Sequence, residues 1–109
     1  MAYFQNSQGE AHSMHFFTVS LTPAATAAAS AVEQAFTVTA GNNSSTLRAG
    51  YVPRSTDLVF VSPPTSANNT AVGGARINTS GQLVIKFINP SAGSLTHPAG
   101  TFGVWVVRP

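Results

Sequence analysis

Apolar and polar positions alternate along much of this chain with the period of a β-strand. In "EQAFTVTA", Gln34, Phe36, Val38 and Ala40 fall on one side and Glu33, Ala35, Thr37 and Thr39 on the other, the pattern of a strand with one face buried. "MHFFTVSLT", residues 14–22, is a β-branched and aromatic run that also favours a strand, although its paired phenylalanines blur which face is which. "DLVFVS" is almost continuously apolar from Leu58 to Val61 and closes at Pro63-Pro64, so it predicts a short strand buried on both faces. "AVGGARIN" predicts a strand interrupted at Gly73-Gly74 by a bulge or a close backbone approach. After the turn "TSG", "QLVIKFIN" returns as a hairpin partner with Leu83, Ile85 and Phe87 on one face and Val84, Lys86 and Ile88 on the other. The last strand, "TFGVWVVRP", sets Phe102, Val104, Val106 and Arg108 against Thr101, Gly103, Trp105 and Val107.

Two segments depart from the alternation. Residues 1–13, "MAYFQNSQGEAHS", are polar apart from Tyr3 and Phe4 and show neither period, so they are expected to form an N-terminal arm that orders only on contact with something else. In "TPAATAAASAVEQAF", Thr22 as a cap, Pro23 at a first helical position and a run of alanines signal a helix. No amphipathic stripe accompanies them, because Thr26 and Ser30 are the polar residues between Pro23 and Glu33. Pro23 to Val32 is therefore either an extended connection leading into a strand, which the missing stripe favours, or a short helix. Six or seven short strands joined by Gly, Pro, Asn and Ser loops predict an all-β fold, a small antiparallel sandwich or barrel over residues 14–109.

Composition narrows the function more than the fold. A chain of 109 residues that is 43% hydrophobic can bury one modest core. Only 7% of its residues are charged, against roughly 25% in typical soluble domains. The five basic residues, Arg48, Arg54, Arg76, Lys86 and Arg108, are scattered singly, so no stripe tracks a phosphate backbone and no nucleic-acid partner is expected. Cysteine is absent, which excludes disulfides and thiolate metal sites. There is no basic-plus-apolar leader and no uncharged apolar run of the roughly 18 residues a bilayer requires, so a soluble chain made in the cytoplasm, without a membrane partner, is expected. On that expectation the Asn-x-Ser/Thr triplets at Asn42, Asn43, Asn68 and Asn78 are turn residues rather than glycosylation sites.

Candidate chemistry is thin. His12 and His15 have a metal-like spacing, but three residues apart on an extended segment they point to opposite faces. His97 precedes a proline in "LTHPAG" and reads as a loop hydrogen-bonder. A triad of Asp57, His97 and a serine would lack the Gly-x-Ser-x-Gly elbow that exposes the nucleophile. Glu10, Glu33 and Asp57 are the three acids, and two of them would have to converge for glycosidase chemistry. "GNNSSTLRAG" lacks the lysine of a phosphate loop. Neither an enzyme nor a bound metal or cofactor is expected. Asn- and Ser-rich loops could grip a sugar with Tyr51 or Trp105 stacked on it, but Trp105, in mid-strand among valines, is better read as buried in a core or interface. Gln82–Asn89 and Thr101–Arg108 are apolar on both faces, and their second faces imply a neighbouring subunit, with Phe87, Val104, Trp105 and Val106 at the interface.

The succession "EQAFTVTAG", "DLVFVSPP", "GGARINTSGQLVIKFINPSAG" and "PAGTFGVWVVRP" resembles a pattern in small structural proteins of bacteriophages, among them the capsid decoration (cement) proteins of tailed phages. The likeness spans residues 32–109 and rests on Phe-Thr-Val-Thr, Asp-x-Val-Phe-Val-x-Pro-Pro, the Phe-x-Asn-Pro turn and the terminal Val-Val-Arg-Pro. It implies a compact, jelly-roll-like β-sandwich that assembles as a homotrimer on the outside of a shell, with the major capsid protein as partner and the virion exterior as location. It supplies no catalytic residues. Residues 1–13 lie outside it, so their use as a capsid-binding arm through Tyr3 and Phe4 is an expectation from composition. The competing expectation is a receptor- or glycan-binding module of a tail or head fibre.

Overall fold

The computed structural model describes residues 2–5, 11–64 and 68–109, with side chains from residue 13 onward. Among the described residues the fold is all-β, without a helix, in three antiparallel sheets. Strands β1 (Ala2–Gln5), β2 (Ala11–Leu21), β5 (Leu58–Ser62) and β9 (Gly100–Arg108) form a four-stranded sheet in the order β1-β2-β9-β5. Strands β4 (Ser30–Phe36), β6 (Ala71–Ile77) and β7 (Leu83–Asn89) form a three-stranded sheet in the order β4-β7-β6. Two short strands, β3 (Ala25–Thr26) and β8 (Leu95–Thr96), pair with each other.

One apolar cluster joins the two larger sheets: Phe17, Val19 and Leu21 of β2 and Phe102, Val104 and Val106 of β9 meet Ile77 of β6 and Leu83, Ile85 and Phe87 of β7. The faces read from the alternation in the last two long strands are those found. The pattern in residues 34–40 also persists, half-buried at Gln34, Phe36, Val38 and Ala40 and exposed between them. The ladder itself stops at Phe36, and beyond it Asn43 takes over, its Oδ1 accepting from the Thr39 N–H at 2.8 Å and its Nδ2 donating to the Thr37 carbonyl at 2.8 Å. Register shifts between Val72 and Gly74 as the double glycine predicts. A Cβ at Gly73 would come within 2.6 Å of Ile88 Cδ1, so a larger residue there would require the Ile88 side chain on the central strand to shift.

Pro23 to Val32 is extended. Gln34 clamps it, its Oε1 accepting from the Ala24 N–H at 2.8 Å and its Nε2 donating to the Ala24 carbonyl at 2.9 Å. The turn into β4 places Ala29 at φ 49°, a left-handed conformation that costs a non-glycine residue about 1 kcal/mol or more, and its N–H donates to the Ser91 carbonyl at 2.9 Å.

Three expectations change. "DLVFVS" is not buried on both faces: β5 is an edge strand paired with β9 alone, so Val59 and Val61 turn toward the core while Leu58, Phe60 and Ser62 face out. The boundary expected between residues 13 and 14 falls inside β2, and Ala2–Gln5 pairs alongside it as β1, with Tyr3 opposite Ser13 and Phe4 opposite His12. Finally, Phe87, Val104 and Val106 are wholly buried inside their own chain and cannot form a subunit interface. Their strands are central in their sheets, so the apolar face assigned to a neighbour is the face that meets the opposite sheet.

Candidate functional site

The outward face of the four-stranded sheet carries a block of large apolar side chains. Register alone aligns it: Phe16 of β2 and Phe60 of β5 both lie opposite Trp105 of β9, and one step along, Met14 and Leu58 both lie opposite Val107. Phe16 is 45% exposed, Trp105 41%, Phe60 59% and Leu58 55%, values that mark these residues as surface although their size would suit a core. The Phe16 and Trp105 rings pack at 4.6 Å with a tilt of 44°. Gly103 makes this packing possible, since a Cβ there would touch Phe16 Cε1 at 3.3 Å. Thr18, Ser20, Thr101 and Ser62 complete the face, and no charged side chain of the described residues lies on it. Of the four residues expected at an interface, Trp105 alone belongs here. Phe16, Leu58 and Phe60 were missed because the doubled phenylalanine and the unbroken apolar run hide the alternation, which Leu58, Phe60 and Ser62 nonetheless follow.

A second constellation sits at the end of the core. The Arg108 guanidinium donates from Nε to Asp57 Oδ1 at 2.9 Å and from Nη2 to Asp57 Oδ2 at 2.9 Å, and also reaches the Val52 carbonyl at 3.0 Å. Burial pushes the Asp57 carboxyl up, but the Arg108 hydrogen bonds, the Arg54 N–H and the two positive charges outweigh it and hold the group below its ordinary value. Arg108 lies 5.3 Å over the Tyr51 ring, and His15 stacks on the same ring at 4.3 Å. His15 is buried, its Nε2 has no partner, and burial, the largest cause, lowers its pKa, with nearby positive charge, Arg48 included, adding to the shift.

The sign of the resulting pH dependence follows from that shift. Between the lowered folded pKa and the unfolded value near 6.5 the unfolded chain binds a proton that the folded chain refuses, so stability falls as pH drops through this window. His15→Phe, which keeps the stack, is expected to remove the dependence in urea unfolding at pH 7.5 and 5.5. An unchanged difference would assign it elsewhere.

Among the described residues the remaining candidates do not converge on one site. The His12 side chain lies outside the described residues, and among the described residues no three His, Cys, Asp or Glu come together. His97 is buried against Phe87 and Phe102 and bonds the Pro98 carbonyl at 3.1 Å through Nδ1, far from a triad with Asp57, which Arg108 already occupies. Glu33 is paired with Arg76 at 3.0 Å diagonally across the central strand β7, so the hydrolytic pair of Glu33 and Asp57 does not form. The loop after β4 spends its polar groups on the open edge of β2: the Thr18 N–H donates to Thr46 Oγ1 at 2.7 Å, Ser44 Oγ donates to the Thr18 carbonyl at 2.6 Å, and the Ser20 N–H donates to the Asn43 carbonyl at 2.8 Å. The side chains of Tyr3 and Phe4 lie outside the described residues. No family model, curated protein or solved structure matches this chain.

Proposed function

We propose that this protein is a capsid decoration (cement) protein, a jelly-roll-like sandwich that binds the outside of a bacteriophage head as a homotrimer and stabilises the shell. The observation that carries the reading is the rigid, uncharged aromatic face around Trp105 on a small β fold whose ionisable clusters are committed to internal pairs. Such a molecule works by surface contact. The chain order supports the jelly-roll description: β2, β5 and β9 fall in one sheet and β4, β6 and β7 in the other, and from β2 onward the chain crosses between these two sheets at each step except the β6–β7 hairpin. We read this order as a jelly roll shortened by one hairpin. The sequence resemblance over residues 32–109 points to the same class.

The glycan-binding alternative has less support. The 44° tilt between Phe16 and Trp105 gives the two rings no common plane for the apolar C–H face of a sugar, and the Asn- and Ser-rich loop that could grip hydroxyls is engaged by the edge of β2.

Reconstitution tests the proposal. Purified protein mixed with undecorated heads of its own virus is expected to co-sediment to a saturable occupancy and to raise the temperature at which the heads rupture. In the arm's expected role, Tyr3→Ser combined with Phe4→Ser leaves a folded protein that sediments with heads at a small fraction of that occupancy, because three arms per trimer, each with two weak aromatic anchors, act through effective concentration. Failure of the unaltered protein to bind heads would overturn the proposal; full binding by the double variant would move the contact from the arm to the folded body.

A further inference from the structure

We infer that the outward face of the four-stranded sheet, centred on Trp105, is the surface on which a second copy of this chain docks. The inference rests on the homo-oligomeric reading above and gives it a location that the buried residues Phe87, Val104 and Val106 cannot supply. Three properties of the face select a copy of itself over other occupants. The first is charge. Among the described side chains the face holds no acid and no base, so a charged partner would lose hydration without gaining a counter-charge, whereas the same face on another copy offers mainly apolar surface and a few hydroxyls to desolvate.

The second property is area. Phe16, Leu58, Phe60 and Trp105 expose on the order of 400 Å² between them, and with their neighbours about 500 Å² per copy, so two faces together remove about 1,000 Å² from water, the size at which specific association begins. The third is order. The Phe16 ring lies over Gly103 and against Trp105, and the registers of β2 and β5 with β9 fix the row of three aromatic residues, so little side-chain freedom is left to lose on docking. Trp105 stands in the middle of the row, the position from which an aromatic anchor contributes most. Around the three-fold axis of the proposed trimer the same patch of each copy meets its counterparts, and an uncharged aromatic row with a central tryptophan brings no like charges together there.

Sedimentation velocity between roughly 1 and 100 μM, a range that spans the affinity expected of an interface this small, tests the inference. The unaltered chain is expected to sediment as an oligomer at the upper end. Phe60→Lys, a change at a well-exposed position, is expected to sediment as a monomer throughout while keeping its circular dichroism. Val52→Lys, equally exposed at 68% but outside the face, is expected to behave as the unaltered chain. Trp105 is the one tryptophan of the sequence, so its fluorescence reports the same event without any substitution: emission shifts to the blue as concentration rises and water leaves the ring. An oligomer that survives Phe60→Lys, or that forms with no change in Trp105 emission, overturns this inference and leaves self-association to another surface. A monomer at every concentration overturns the homo-oligomeric reading itself.

Discussion

Replacing Asn89 by alanine is expected to destabilise the fold by about 4 kcal/mol, because each buried polar group left without a partner costs about 1–3 kcal/mol. Asn89 is fully buried at the end of β7 and makes five hydrogen bonds. Its Nδ2 donates to the carbonyls of Thr26 at 2.9 Å, Ala27 at 3.2 Å and Gly93 at 2.9 Å. Its Oδ1 accepts from the Ser91 N–H at 3.0 Å and the Ser91 hydroxyl at 2.7 Å. One amide therefore holds the turn after β3, the turn after β7 and the entry to the β3–β8 pair. An alanine leaves the Thr26, Ala27 and Gly93 carbonyls without this donor, and the left-handed Ala29 loses the Ser91 loop against which its N–H is tied. Urea unfolding of Asn89→Ala measures the loss, and a cost below about 1 kcal/mol would mean that water takes over the amide's bonds.

Asp57→Asn is expected to cost about 3 kcal/mol, the lower end of the range for breaking a buried ion pair, since the Asp57 side chain is wholly buried while that of Arg108 is 23% exposed. The amide keeps the volume but leaves the guanidinium without its counter-charge. The consequence spreads, because Arg108 also binds the Val52 carbonyl and lies over Tyr51, which covers His15. Loosening this loop admits water to His15, so Asp57→Asn is expected to weaken the stability loss between pH 7.5 and 5.5 as well. In strong acid the sign is that of a depressed carboxyl: the stabilisation is complete above the ordinary aspartate value and is lost as pH falls through the lower folded one, so the variant, having no carboxyl there, loses less than the unaltered chain. Equal acid sensitivity of the two proteins would show that Asp57 is not the group responsible.

Sequence by itself determined the all-β class, the run of strands after residue 14, the β6–β7 hairpin with its glycine bulge, and the inward faces of β7 and β9. These are properties of neighbours in the chain, since a period of two and a turn at Asn78–Gly81 are settled within a few residues. What sequence left open is what covers an apolar face, because a side chain buried by the opposite sheet and one buried by another subunit have the same chemistry. Phe87, Val104 and Val106 therefore read as interface and belong to the core, while Phe60, in a run that reads as buried, stands on an edge strand facing out. The remaining decisions needed groups far apart in the chain: Asn89 meets Thr26 across 63 residues and Arg108 meets Asp57 across 51. Only the tertiary structure brings these together, and it also gathers Phe16, Phe60 and Trp105 from three separate strands into one surface, a juxtaposition that depends on strand order and register rather than on any local pattern.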